Sequence, residues 1–205
     1  MSIVTYNNRS IRNISAIPGE AKSLTHIKTV TASSDSAVTF VNGTSDVVLD
    51  STYPIYLFKI INCHPSANGP YFQVNFRDGG SSYDATKTST SFAAYHNEAG
   101  DTTGVNYEAS FDLAQSTGNQ PLNAGGGVGG DADQSISGTL HLFDPSSTTF
   151  VKHYISNINF SNNSNYTIQS FIAGYCNTTT AIDGAQFSMS SGNIDAGVIK
   201  LYGIS

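Results

Sequence analysis

The sequence has no tryptophan, only two methionines and two cysteines, and few charges: 12% of its 205 residues are Asp, Glu, Lys or Arg. That is about half the share of an ordinary globular chain. Each shortage excludes something. Nine Lys and Arg are scattered singly against fifteen Asp and Glu, for a net charge of −6. Such a chain lacks the basic footprint that a nucleic-acid partner requires. No apolar run approaches the roughly 18 residues of a membrane helix, so no membrane insertion is expected. The opening MSIVTYNNRSIRNIS contains no continuous apolar stretch. No signal peptide is read there, and synthesis in a cytoplasm is expected. Cys63 and Cys176 lie in apolar runs without C-x-x-C or Cys/His spacing. They read as reduced, buried residues rather than zinc ligands, and as a disulfide only if their strands are neighbours.

Asn, Ser, Thr and Gly take the place of charge, a surface common in β-rich extracellular or virion proteins. Beneath it runs a repeated period of two, the mark of half-buried strands. Phe72, Val74 and Phe76 alternate with Gln73, Asn75 and Arg77; Leu140 and Leu142 with Thr139 and His141; Phe187 and Met189 with Gln186, Ser188 and Ser190. These seven apolar residues are expected to point inward. Further strands are read at Leu24–Thr31, Ala37–Val41, Val47–Leu49, Ile55–Cys63, Thr88–Tyr95, Phe150–Phe160 and Tyr166–Cys176. Ile55–Cys63 is apolar on both faces and reads as a central strand. The chain closes with Phe187 and Met189, a Ser191-Gly192-Asn193 turn, and Val198–Tyr202, which predicts a closing hairpin docked inside a sheet.

Between residues 96 and 135 the alternation lapses. Tyr107, Phe111 and Ala114 allow a short helix. Residues 123–130 contain five glycines, too many for a strand or helix interior. Residues 1–22 differ again. Ile3, Tyr6, Ile11, Ile14 and Ile17 stand at irregular intervals among Asn7, Asn8 and Asn13, before Pro18-Gly19. The prediction is an all-β fold: a jelly-roll-like β-sandwich over residues 23–205 with an extended N-terminal arm over residues 1–22. Ile3, Tyr6, Asn7, Asn8, Ile11, Ile14 and Ile17 are the candidate anchoring or oligomer contacts; a disordered start is the alternative reading of this segment.

Several phrases then carry a likeness: TYNNRSI, VVLDSTYPIYLFKIINCHP, AYHNEAGD, GTLHLFDPSSTTFVKHYIS, FIAGYCNTTTAI and SGNIDAGVIKLYGIS. Together, from Thr5 to Ile204, they resemble virion structural or tail-fibre-like proteins of marine tailed phages, those of cyanobacteria and pelagic bacteria. The likeness lies in phrases, not in a catalytic motif. It implies a place in the virion, as a unit of tail, tail fibre or capsid surface, made in the host cytoplasm and able to contribute to host attachment. The partners expected are other virion proteins and the chain itself. A homotrimer is the expected form, by analogy with many phage surface units of this architecture.

The residues that carry chemistry are sparse. His96, Glu98, Asp101, Glu108 and Asp112 fall in the irregular middle, and two carboxylates at fixed separation would suit glycoside cleavage. Loops attract acidic residues for no catalytic reason, and a solvated loop surface is the preferred reading, so no catalytic residue is assigned and an enzyme is not expected. The glycine run lacks a following Lys-Ser/Thr, so it is no phosphate loop. Asp131 and Asp133 offer oxygen ligands to calcium but no third partner; neither metal nor cofactor is expected. His26, His64, His141 and His153 read as strand-surface residues. Tyr83, Tyr95, Tyr107 and Tyr166 lie at loops or strand ends, where tyrosine beside Asn and Asp can stack on sugars. They are the candidate contacts for a host surface glycan. A carbohydrate-binding, lectin-like module is therefore the alternative function, and a polysaccharide-degrading enzyme ranks third.

Overall fold

The computed structural model describes residues 24–205, all in strands, turns and loops. The expected arm lies outside the described residues. Twelve strands follow in order: β1 (Thr25–Asp35), β2 (Val38–Val41), β3 (Ile55–Pro65), β4 (Phe72–Arg77), β5 (Lys87–Asn97), β6 (Thr103–Tyr107), β7 (Gln120–Pro121), β8 (Ile136–Phe143), β9 (Lys152–Ser161), β10 (Tyr166–Cys176), β11 (Gly184–Met189) and β12 (Ile194–Ile204). All pairings are antiparallel. They form an eight-stranded sheet, β1-β12-β3-β8-β9-β10-β5-β6, packed on a four-stranded sheet, β2-β11-β4-β7.

This is a β-sandwich with jelly-roll-like order. Eight strands make two facing four-strand blocks, β1-β12-β3-β8 and β2-β11-β4-β7, and the chain passes from one block to the other at nearly every connection. Two hairpins are inserted into that plan. β5-β6 lies between β4 and β7 in the chain, and β9-β10 between β8 and β11. Both add to the large sheet beyond β8, so half of that sheet overhangs the small one. The inner face of the overhang is covered by the irregular middle instead. Ala124 N–H donates to Ser170 Oγ, and Gln120 Oε1 accepts from the Tyr154 hydroxyl. Phe111, Leu122, Ala124 and Val128 are buried there.

The chain's end is central to both sheets. β11 lies between β2 and β4, and β12 between β1 and β3. Phe187 of β11 is fully buried among Phe40, Phe58 and Phe72, with ring centroids 6.3, 5.3 and 5.8 Å away. All seven residues expected to point inward are buried. β3 is a central strand, and neither cysteine is bonded to the other: Cys63 on β3 and Cys176 on β10 are separated by β8 and β9. Burial pushes both thiols up to about 12, which leaves them protonated and unreactive.

Four expectations are corrected. The closing segment is not a hairpin. β11 and β12 belong to opposite sheets, because β12 finds eleven-residue partners in β1 and β3, longer than the six residues β11 would offer. The helix expected at Tyr107–Ala114 does not form: Tyr107 ends β6 in register with Phe92, and Phe111 folds back through a turn onto Tyr71. Tertiary pairing overrides the local spacing. Val47–Leu49 is not a strand, although Val47 and Leu49 are buried. β9 starts at Lys152, leaving Phe150 exposed in the preceding loop.

Two lysines are buried in the body. Lys87 Nζ donates to Asn75 Oδ1 at 2.5 Å and to the Ala85 carbonyl at 2.6 Å, tying β5 to β4 across the sheets. Lys152 Nζ gathers the carbonyls of Ser147, Phe150 and Thr178. Burial lowers both amines, Lys87 to about 8.

Candidate functional site

Two surfaces stand out, one on each side of the overhang. The first is the outer face of the large sheet. In antiparallel pairs, residues in register share a face, so cross-strand rows follow directly from the pairing. One row runs Lys200, Lys59, Thr139, Asn157, Phe171, Phe92, Tyr107 from β12 to β6. The next runs Tyr202, Leu57, His141, Ile155, Ala173, Thr90. Phe92 stacks on Phe171 at 4.7 Å, and His153 meets Tyr175 edge-on at 6.1 Å. From β8 to β6 the outward positions hold no Asp, Glu, Lys or Arg. Four large side chains stand substantially open to solvent: Phe92 at 44%, Ile155 at 49%, Tyr107 at 59% and Val105 at 71%. A shallow depression of about 710 Å³ lies among Phe143, His153, Ile155, Ala173 and Tyr175. Contiguous apolar surface of this kind is uncommon on a free monomer.

The second surface is a polar pocket of about 300 Å³ at one end of the overhang. It is formed where β6, the glycine run and the β9–β10 turn meet, by Tyr95, Asn106, Glu108, Asn162, Ser164 and Tyr166, with Gly125 and Ile168 behind them. The two tyrosine rings meet edge to face at 6.1 Å. Partial burial raises the Glu108 carboxyl above its ordinary value, with no neighbouring charge or hydrogen bond contributing.

The four candidate glycan tyrosines thus separate. Tyr95 and Tyr166 come together in the pocket. Tyr107 lies on the outer face, where its hydroxyl donates to the Asp112 carboxylate. Tyr83 lies in the β4–β5 loop near the Arg77–Asp183 ion pair, whose two nitrogen–oxygen bonds measure 2.8 and 3.0 Å. The acidic residues of the middle separate too. Asp101 organises the β5–β6 turn through Asn97 and Thr102. Asp112 holds Tyr107, Glu108 lines the pocket on the inner side, and His96 projects from the outer face in register with Thr103. Asp101 and Asp112 hold different partners, Glu108 lines the pocket without a second carboxylate, and no carboxylate pair forms across a common cleft.

Asp131 and Asp133 do not converge either. His64 Nε2 lies 3.2 Å from the Asp131 carbonyl oxygen, and Gln134 Oε1 accepts from the Asp131 amide. Asp133 faces His64 and Asp195 across an open depression. Among the described residues no group of three or more His, Cys, Asp or Glu is arranged to hold a metal.

Glu108, Asn106 and Asn162 were missed as partners of Tyr95 and Tyr166. Their one sequence signal was proximity to glycine: Gly104 and Gly125 lie where the pocket needs room. Comparison with protein families, with curated proteins and with solved structures finds no match for this chain.

Proposed function

We propose that this chain is a phage virion structural protein, a jelly-roll unit of the tail, tail fibre or capsid surface, that assembles with copies of itself as a homotrimer. The observation that carries this reading is the outer face of the large sheet from β8 to β6, where the outward positions hold no Asp, Glu, Lys or Arg. Five strands about 4.8 Å apart and roughly 30 Å long present about 700 Å² on one side. A standard interface takes about 600–1,000 Å² from each partner. A second copy is the occupant that fits: the face offers apolar contact without charge to select a different partner, and virion shells and fibres are built from repeated copies. The phrase-level resemblance and the jelly-roll-like order support the same place. The separation of the acidic residues supports a non-catalytic role.

Residues 1–22 supply the anchor in this reading. They carry Arg9, Arg12 and Lys22 against Glu20, whereas residues 23–205 carry six basic against fourteen acidic residues, so arm and body are opposite in sign. An arm of that charge is drawn to the body of a neighbouring copy.

The test is mass in solution together with presence in the particle. Purified virions should contain the chain on electrophoresis, and the isolated protein should sediment as a trimer. Ile155→Glu combined with Phe92→Glu should give a monomer with an unchanged far-ultraviolet spectrum. A wild-type protein that is monomeric at micromolar concentration, near 21.7 kDa, refutes the assembly reading. Absence from the particle refutes the virion reading.

A further inference from the structure

The polar pocket lies on the opposite side of the large sheet from the assembly face, and its chemistry differs. We propose that it binds one neutral pyranose unit of a glycan, an inference that rests on the pocket and not on the virion reading. Its volume of about 300 Å³ is at the lower end for small-ligand sites and suits a single sugar ring.

Three features select that ligand. The first is the pair of tyrosine rings at 61° to one another. Two aromatic walls at an angle offer apolar contact to the C–H face of a pyranose. The Tyr95 ring is set in place by Gly104: a Cβ there would come within 2.6 Å of the Tyr95 hydroxyl oxygen. The second is Glu108. Its carboxyl is partly desolvated, and neither a donor nor a cation contributes to its ionisation. Its oxygens have no protein donor and open onto the pocket, where two adjacent sugar hydroxyls would satisfy both of them. The third is the fixed orientation of the amides. Asn162 Oδ1 accepts from the backbone N–H groups of Ser164 and Tyr166 at 2.9 and 3.0 Å, which leaves its Nδ2 to donate. Asn106 Nδ2 points to the Tyr95 hydroxyl at 3.5 Å, which leaves its Oδ1 to accept. The site therefore holds donors and acceptors in alternation, matching hydroxyls that both donate and accept.

A metal ion fits less well, because one carboxylate and two amides leave a hard cation underligated. An amine would use Glu108 but leave the amides and the aromatic walls idle. Gly125 keeps the pocket open. It sits at φ +93°, and a Cβ there would press on Ala93 and stand 3.8 Å from a Glu108 oxygen.

The experiment is saturation-transfer NMR on the full chain. The probes are methyl pyranosides of glucose, galactose, mannose and N-acetylglucosamine, with glucosamine as a cationic comparison. At least one neutral glycoside should bind with a millimolar constant, at about 10 mM ligand. Glu108→Gln should weaken it about tenfold or more without changing the thermal midpoint. Tyr166→Ala should abolish transfer to the ring C–H protons; if Glu108→Gln does not fold, Tyr166→Phe, which removes only the hydroxyl, should weaken binding on its own. No transfer from any neutral glycoside overturns the proposal. So does binding of glucosamine alone, or binding that persists undiminished in the variants that fold.

Discussion

Lys87 gives the sharpest quantitative test, because it is fully buried and its amine is held at about 8 against an ordinary 10.5. Desolvation is the main cause; the thiol of Cys176 and the carboxylates of Asp84 and Asp78 act in the other direction. Between pH 8 and 10.5 the folded chain therefore binds fewer protons at this site than the unfolded chain. Stability rises with pH wherever the unfolded state holds the extra proton. At about 1.4 kcal/mol for each decade, the whole interval is worth about 3 kcal/mol. The two thiols act oppositely. Their folded values near 12 lie above the ordinary 9.0, so the stability they hold below pH 9 is lost as pH climbs toward 12. A bare stability curve mixes these effects, but the difference between wild type and Lys87→Met separates them. Met keeps the stem's packing, and Asn75 Oδ1 keeps its bond from the Phe76 N–H. Urea unfolding at half-unit steps from pH 7 to 10.5 should show wild type gaining about 3 kcal/mol relative to Lys87→Met, nearly all of it above pH 8. A flat difference across that range refutes the reasoning, since it would mean the amine titrates as it does in water.

Two further outcomes follow from the packing and from the arm. Phe187→Ala removes the ring shared by Phe40, Phe58 and Phe72 at the centre of both sheets and should cost about 3–5 kcal/mol in chemical unfolding. A loss below about 1 kcal/mol would show that β11 is not the core's centre. A chain beginning at Ala21 should keep its sheet spectrum, since all twelve strands remain, but should lose its oligomeric mass or fail to join the particle. Normal assembly of that shortened chain would remove residues 1–22 from the assembly reading.

The sequence by itself determined which residues face inward. At Phe72, Val74, Phe76, Leu140, Leu142, Phe187 and Met189 the period of two is strict, and burying one face of a strand leaves a single choice of side. It also determined that the last residues lie within the sheets, because an apolar end has nowhere else to go. Tertiary structure decided adjacency. Ser191-Gly192-Asn193 looks like a hairpin turn, yet it carries the chain between sheets, because β12 finds eleven-residue partners in β1 and β3 while β11 has only six residues to offer. Local spacing around Tyr107 allowed a helix, but pairing with β5 placed that residue on the outer face. Both candidate sites arise in the same way. Phe92 and Phe171 stack, and Tyr95 meets Tyr166, only because β5 pairs with β10 in one register. A single-residue slip would turn those side chains to the opposite faces. Periodicity records how one strand meets the core; it carries no information about which distant strand will lie beside it.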